Sequence, residues 1–187
     1  GDPNLKWEET TQYDIGINFG LLDNRISGEI DYYVKDTEDL LLDSPLAPSV
    51  GVPGNSVFTN VGRIENKGLE FSLSTKNIVS EHFNWSTSFN ISYNKNEVIS
   101  LSGDQDEFIV QNQIVRVGES VADWYLVEYA GVDPANGDAL YFLNTELPDG
   151  SLDRTTTNEF NDAERVQLGS PFPDIITGLT NTLNYKN

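Results

Sequence analysis

The chain has 187 residues, of which 30 are acidic and 11 are basic, so its net charge is −19. A chain this acidic repels polyanions, which excludes nucleic acid and bare anionic lipid surfaces as partners. Cysteine and methionine are absent, which excludes disulfides and thiolate metal sites. The longest unbroken apolar run is 139–143, far short of the roughly twenty residues of a transmembrane helix, so any membrane crossing requires strands.

Two long strands joined by a tight turn are predicted for residues 7–35. Apolar side chains alternate with polar or small ones, which is the period of a strand whose two faces meet different surroundings. The turn is predicted at residues 23–25, because Asp and Asn tolerate left-handed backbone geometry. The apolar positions are Tyr13, Ile15, Ile17, Phe19 and Leu21 in the first strand and Ile26, Gly28, Ile30, Tyr32 and Val34 in the second. The polar face of the second strand carries carboxylates, which suits a watery lumen better than a protein core.

Residues 43–56 contain three prolines and two glycines and are predicted to form a loop. A strand is predicted within residues 59–75, where Leu69, Phe71 and Leu73 alternate with polar residues. The Asn-Lys-Gly sequence at residues 66–68 predicts a bulge or kink in that strand. Residues 76–82 are predicted to be a second short connection.

The most regular alternation lies in residues 83–101. Asn and Ser occupy one face, and the other face carries Phe83, Trp85, Thr87, Phe89, Ile91 and Tyr93. A strand of this length is about twice the typical five to six residues and matches a strand that crosses a membrane in a β-barrel.

Residues 102–174, which we call the excursion, lose the long alternation. They carry three basic against fifteen acidic residues, a net charge of −12, and enough aromatic residues to favour a folded structure. We expect small hairpins on the extracellular side, because outer-membrane barrels have short connections at one end of their strands and long ones at the other. A fifth strand is predicted to begin at Ile175, with no partner strand after it.

No catalytic or metal site is predicted. His82 is the only histidine and falls in a predicted turn. Asp133, Asn136 and Asp138 do not meet the spacing of an EF-hand calcium loop, and a turn between two short strands is the favoured interpretation. Acidic clusters are expected by chance in so acidic a chain, and one such cluster comprises Asp104, Asp106 and Glu107.

Five runs of sequence carry a resemblance to a known family. They are NLKWEETTQYDIGINFGLLDNRISGEIDYYVKDTEDLLL, NVGRIENKGLEFSLSTKNI, FNWSTSFNISYNKNEVISL, YAGVDPANGDALYF and GSPFPDIITGLTNTLNYKN. In this order they resemble the C-terminal barrel half of SusC/RagA-type TonB-dependent outer-membrane transporters of the Bacteroidetes group. The specificity lies in the five consecutive motifs together.

The resemblance implies a barrel of 22 strands with an N-terminal plug in the bacterial outer membrane. It also implies that TonB supplies the energy and that a SusD-like surface lipoprotein caps the barrel and delivers glycans or peptides. The chain lacks a signal peptide, a TonB-contacting segment, a plug and a terminal strand that ends in an aromatic residue, so we expect an internal fragment of the barrel. No cofactor and no catalysed reaction are expected.

The sequence therefore predicts an all-β fold, a fragment of an antiparallel transmembrane barrel with about five long strands. Residues 1–101 are expected to supply four strands with short periplasmic turns, 102–174 a long extracellular loop region, and 175–187 the start of a fifth strand. The alternatives are a soluble β-sandwich that binds carbohydrate, in which the apolar faces meet each other, and an enzyme such as a glycan hydrolase. The candidate contacts for substrate or for the lipoprotein lid are Trp124, Tyr125 and Tyr129. Trp124 and Tyr125 suit stacking on a sugar ring and equally suit a small core of the loop itself.

Overall fold

The computed structural model describes residues 5–45, 49, 51, 53, 56–60, 62–102 and 105–186, without the side chains of residues 42–45 and 56–58. Its strands, in chain order, are β1 (Glu9–Leu21), β2 (Ile26–Glu38), β3 (Leu41–Pro45), β4 (Ser56–Asn60), β5 (Gly62–Val79), β6 (Phe83–Leu101), β7 (Glu107–Val110), β8 (Gln113–Arg116), β9 (Asp123–Val127), β10 (Tyr129–Val132), β11 (Ala139–Phe142), β12 (Thr156–Thr157), β13 (Arg165–Gln167) and β14 (Ile175–Tyr185). A short 3-10 helix, Phe160–Asp162, lies between β12 and β13. Among the described residues no helix is long and apolar enough to cross a membrane.

Five long strands form one antiparallel sheet in the order β1-β2-β5-β6-β14. The β1–β2 hairpin pairs without interruption from Glu9 opposite Glu38 to Leu21 opposite Ile26. Its turn begins with three consecutive residues at positive φ, Leu22 to Asn24, in agreement with the turn predicted there. The central strands β5 and β6 have 18 and 19 residues. The prediction of an all-β fold with five long strands is confirmed.

The register aligns the alternating patterns of the five strands, so the sheet has one apolar face and one polar face. A row on the apolar face consists of Ile17, Ile30, Phe71, Ile91 and Thr177. The adjacent row on the polar face consists of Asn18, Glu29, Ser72, Asn90 and Gly178. A slip of one residue would exchange the faces of a strand, so the pattern itself specifies this pairing.

Two glycines lie beneath an aromatic ring of the neighbouring strand, one on each face. A Cβ on Gly28 would lie 2.5 Å from Cζ of Phe19, and a Cβ on Gly68 would lie 2.5 Å from Cζ of Tyr33. The Tyr33 hydroxyl donates a hydrogen bond to Oδ1 of Asn94 at 2.8 Å, which holds the ring over Gly68. A Cβ would also press on backbone at both positions, on the carbonyl oxygen of Ser72 at Gly28 and on that of Tyr93 at Gly68. Glycine at these positions therefore accommodates both the neighbouring ring and the backbone of the next strand.

The bulge predicted at residues 66–68 is wrong. These residues keep a regular register with β6, and the irregularities of β5 lie between Arg63 and Ile64 and between Lys76 and Ile78. Gly68 instead allows the Tyr33 ring of the neighbouring strand to approach closely. The Asn-Lys-Gly sequence alone carries no information about that neighbour.

Two predicted connections are shorter than expected. β5 continues through an irregularity to Val79, so the link to β6 is residues 80–82, which contain His82, and not 76–82. The hydroxyl of Ser80 closes this link by donating a hydrogen bond to the carbonyl of Phe83 at 2.7 Å. The loop predicted at 43–56 has strand residues at both ends, because β3 pairs with β4 from Leu41 opposite Asn60 to Pro45 opposite Ser56. Most of its interior lies outside the described residues.

The excursion forms two small antiparallel sheets, with strand orders β13-β9-β8-β7 and β10-β11-β12. The predicted turn between β10 and β11 is closed by the amide of Asp133, which donates to the carbonyl of Asp138 at 2.8 Å. Gly137 has a φ of 85° in this turn. The expectation of small hairpins in this segment is confirmed.

The most buried apolar side chains lie where the excursion meets the large sheet. They are Ile64, Val98, Ile114 and Val115. Ile64 and Val98 pair across β5 and β6 on the polar face, and the backbone of Val98 binds Gly118 and Glu119 through two hydrogen bonds of 2.8 Å. The excursion therefore packs on the polar face, at the end of the strands opposite the short turns.

Candidate functional site

The apolar face is exposed although it carries large hydrophobic side chains. Ile15 is 71% exposed, Ile17 63% and Leu179 66%. These residues belong to one continuous surface across five strands, and soluble monomers rarely expose apolar patches beyond a few hundred Å². The surface therefore requires apolar surroundings.

Aromatic side chains flank this surface at both ends. Tyr32 and Tyr93 lie in one row at the end near the excursion, whereas Phe83, Trp85 and Tyr185 lie at the end of the short turns. Ten residue steps separate Phe83 from Tyr93, about 34 Å along the strand or about 26 Å along the membrane normal at a tilt of about 40°. Outer-membrane barrels have an apolar band of about 25 Å between two aromatic girdles, so the dimensions agree.

One polar cluster interrupts the apolar face near the short turns. Asn181 Oδ1 accepts hydrogen bonds from Nε1 of Trp85 at 3.0 Å and from the hydroxyl of Thr87 at 2.7 Å. The side-chain amide of Asn77 donates to the Thr87 hydroxyl at 2.7 Å. Mutual hydrogen bonding across three strands lowers the cost of placing these groups in apolar surroundings.

The polar face carries carboxylates in its middle rows. Asp31 lies directly opposite Glu70, and Glu29 lies two residues before Asp31 on the same face. Like charges directly opposite each other destabilise a strand pair, and water reduces that repulsion. A recess of about 280 Å³ runs along these residues and includes Ser72 and Ser92. This face is suited to a wet interior and not to a dry core.

Asn96 attaches the excursion to the polar face. Its Oδ1 accepts a hydrogen bond from the backbone amide of Val121 at 2.9 Å, and its Nδ2 donates to Oδ1 of Asn66 on β5 at 2.9 Å. One amide side chain thus ties two strands of the sheet to the loop before β9. Ser120 and Ser170 share a further hydrogen bond of 3.0 Å beside it.

Arg154 holds the smaller sheet of the excursion together. It makes two hydrogen bonds to the carboxylate of Glu128, at 2.6 and 2.8 Å, and one to Oδ1 of buried Asn144 at 2.8 Å. Its guanidinium carbon lies 3.8 Å from the centroid of the Phe142 ring. The Arg154 guanidinium holds the pKa of the Glu128 carboxyl below its ordinary value. No local sequence pattern reveals this cluster, because Glu128 and Arg154 are 26 residues apart in the chain.

The three predicted contact residues belong to two different sheets of the excursion. Trp124, which is exposed, and Tyr125, which is half-buried, are consecutive in β9 and so lie on opposite faces of the four-stranded sheet. Tyr129 belongs to the other sheet, where its ring meets Tyr141 edge-on at 6.2 Å. Tyr141 packs against Phe160 at 5.2 Å, so Tyr129 is part of an aromatic trio that the sequence analysis does not identify.

Only Asp106 and Glu107 of the acidic cluster noted in the sequence lie among the described residues. Glu107 binds Nε of Arg116 at 2.6 Å, and Asp104 lies outside the described residues. In the part of the chain that the structure describes, no group of three or more His, Asp or Glu side chains is arranged to hold a metal ion.

An exposed apolar band between aromatic girdles, backed by a polar face, defines the wall of a transmembrane antiparallel β-barrel. Residues 1–172 match the family described as TonB dependent receptor-like, beta-barrel. TonB-dependent receptor P3 of Formosa agariphila is 40% identical over 98% of this chain and 20% of its own length. TonB-dependent receptor SusC of Bacteroides thetaiotaomicron is 35% identical over 98% of this chain and 19% of its own length. A solved structure of the RagAB peptide transporter is similar over 100% of this chain and 20% of the transporter chain, with a TM-score of 0.81 and 29% sequence identity.

The chain belongs to the TonB-dependent receptor β-barrel family and is of the SusC/RagA type. Members of this family lie in the outer membrane, so the predicted localisation is confirmed. The chain spans about a fifth of the length of the relatives that it matches. Family and fold together exclude the soluble β-sandwich alternative.

Proposed function

We propose that the chain is part of the barrel of a TonB-dependent importer that carries a nutrient, a glycan or a peptide, across the bacterial outer membrane. The observation that carries this proposal is the two-faced sheet, which has one face for lipid and a polar, hydrogen-bonding face beneath a folded excursion. A wall of this kind encloses a polar interior through which a solute passes. The function is passage of a solute and not catalysis.

We propose that the short turns lie in the periplasm and the longer connections lie outside the cell. The turns at residues 22–25 and 80–82 share one end of the sheet, while the connection at 39–61 and the excursion share the other. This asymmetry is typical of outer-membrane barrels. In this orientation residues 1–101 supply four strands, 102–174 the extracellular region and 175–187 the start of a fifth strand.

A SusD-like surface lipoprotein is the proposed lid, and TonB is the proposed source of energy. The plug and the segment that contacts TonB would belong to other parts of the full-length protein. Similarity to SusC and to the RagAB peptide transporter over nearly the whole chain supports this assignment.

The excursion is the proposed region of contact with the lid or the substrate, through Trp124, Tyr125 and Tyr129. Exposed aromatic rings present flat surfaces that suit sugars or the core of a protein interface. Trp124 is 40% exposed and Tyr129 57% exposed, whereas Tyr125 is more enclosed. The net charge of −12 over residues 102–174 disfavours anionic substrates and favours neutral glycans or peptides with basic groups.

The test uses the intact transporter in its bacterial host. Trp124 and Tyr129 are replaced together by alanine, and surface amount, co-purification of the lipoprotein and uptake of the labelled nutrient are measured. We expect uptake or lipoprotein binding to fall by about tenfold at normal surface amount, the size of the loss when an interface aromatic is truncated. Tyr185→Ala, on the apolar face, is the matched control and should leave both at normal levels. Normal uptake and lipoprotein binding in the double variant would show that these residues are not part of the contact site. In a separate measurement, uptake by the native transporter that persists in a host without TonB would overturn the transport proposal.

A further inference from the structure

Two lysines lie directly outside the aromatic girdle, on the continuation of the apolar face. Lys67 is opposite Lys95 across β5 and β6, one row beyond the row of Leu69 and Tyr93. Two residue steps at a tilt of about 40° place the lysines about 5 Å beyond the girdle along the membrane normal. The head-group regions add about 5 to 7 Å to each side of the hydrocarbon core, so the lysine row lies at head-group depth.

On this face the carboxylates lie one row farther from the hydrocarbon than the two lysines. The row beyond the lysines contains three carboxylates and consists of Thr11, Asp36, Glu65 and Glu97. Lys67 donates a hydrogen bond to Glu65 at 2.9 Å and Lys95 to Glu97 at 2.6 Å. The lysine side chains remain 43% and 47% exposed, and each ammonium has three N–H groups, of which the glutamate takes one. Both ammonium groups therefore have donors free for an acceptor closer to the lipid.

We propose that the Lys67–Lys95 pair binds a phosphate group of the phosphorylated glycolipid in the outer leaflet. Two ammonium groups directly opposite each other repel, and a phosphate between them replaces this repulsion with attraction. Tyr32 and Tyr93, one row closer to the hydrocarbon, are placed as interfacial anchors for the same lipid. The Glu65 and Glu97 carboxylates already accept from the same two ammonium groups on the outer side, at 2.9 and 2.6 Å. The phosphate is therefore a second acceptor, on the side of the ammonium groups that faces the hydrocarbon. The site is on the outside of the barrel and goes beyond the proposed transport function, and its place in the outer leaflet rests on the proposed orientation of the strands.

The experiment measures lipid retention by the purified full-length transporter with native mass spectrometry. The probes are lipid A that carries its phosphates and lipid A from which the phosphates have been removed. Variant Lys67→Gln/Lys95→Gln should lose retention of the phosphorylated lipid by about thirtyfold, or about fivefold for each lysine. Lys67→Arg/Lys95→Arg should retain it, and Lys35→Gln, which removes a lysine from the polar face of β2, is the matched control. If the double glutamine variant does not assemble, Lys95→Gln alone should show the fivefold loss.

Equal retention of the two lipid forms by the native protein would overturn the proposal, as would unchanged retention in the glutamine variants. Nutrient uptake by these variants should remain normal at normal surface amount. Loss of lipid retention with normal uptake would thus support the lipid site, while failure of the native protein to take up any nutrient would overturn the transport proposal and leave the lipid site standing.

Discussion

Arginine in place of Phe89 would put a charge near the middle of the apolar face. Phe89 lies between Leu73 and Leu179 in its row, and its ring centroid is 6.2 Å from that of Phe71. It is six residue steps from Phe83 and four from Tyr93. At a tilt of about 40° these steps correspond to about 16 and 10 Å along the membrane normal, close to the midplane of the band.

The expected cost follows from this position. Arginine on the lipid face at the midplane costs about 2 to 4 kcal/mol, and loss of the aromatic pair with Phe71 adds about 0.5 to 1.5 kcal/mol. We therefore expect Phe89→Arg to lower the free energy of unfolding by about 2.5 to 5.5 kcal/mol. The matched control is Asn90→Arg, which lies on the polar face between Ser72 and Gly178. Its charge remains in water, so the change should stay within about 1 kcal/mol.

The assay is urea unfolding of the full-length barrel in lipid vesicles, with assembly in the outer membrane followed by heat-modifiable migration on gels. Phe89→Arg should lower the midpoint strongly and reduce the assembled fraction, and Asn90→Arg should do neither. Equal tolerance of the two substitutions would refute the assignment of the apolar face to lipid.

Three further predictions concern individual contacts within the fold. Gly68→Ala brings a Cβ to 2.5 Å from both the Tyr33 ring and the carbonyl oxygen of Tyr93 and should cost about 1 to 3 kcal/mol in urea unfolding. A Tyr33→Ala background should relieve only the part of this cost that comes from the ring; equal costs in both backgrounds would contradict the packing of the Tyr33 ring on Gly68. Because the Arg154 hydrogen bond lowers the pKa of Glu128, the stability from this pair is fully present above the ordinary value of 4.5 and is lost as the pH falls through the lowered pKa. Limited proteolysis of the excursion should accelerate below pH 4.5, and Glu128→Gln should remove that step; an unchanged step in the variant would assign it to another group. Asn96→Ala should raise amide exchange in the loop before β9 at constant barrel stability, since it removes one of the hydrogen bonds that fix the excursion to the polar face while those of Val98 remain; native exchange rates in the variant would show that the remaining contacts suffice.

The large sheet was predictable because each long strand has its two faces in different surroundings. Alternation over Tyr13 to Leu21 and Phe83 to Tyr93 therefore identifies both the strands and their faces. Predictions from short stretches of sequence failed where the backbone geometry depends on a neighbouring strand. Gly68 resembles a bulge residue in isolation but accommodates the Tyr33 ring, and the polar residues after Thr75 resemble a turn although an irregularity lets β5 continue to Val79.

The organisation of the excursion was only partly predictable. Turn dipeptides marked the β10–β11 hairpin, since Asp-Pro and Asn-Gly favour turns on their own. The cluster of Arg154 with Glu128 and the contact of Tyr141 with Phe160 join segments that are distant in sequence. Periodicity carries no information about such pairings, so the sequence identified Tyr129 as exposed aromatic surface without its neighbours.

The most direct test of the central claim, that the sheet is a barrel wall with lipid on its apolar face, is a nitroxide scan along residues 83–93 of the full-length protein in lipid vesicles. Because this chain contains no cysteine, single cysteines introduced here label unique positions in this part of the protein. The expected pattern has a period of two, with oxygen accessibility high at the odd-numbered positions from Phe83 to Tyr93 and accessibility to a water-soluble nickel complex high at the even-numbered positions between them. Nickel accessibility at both sets of positions, or no alternation, would contradict it.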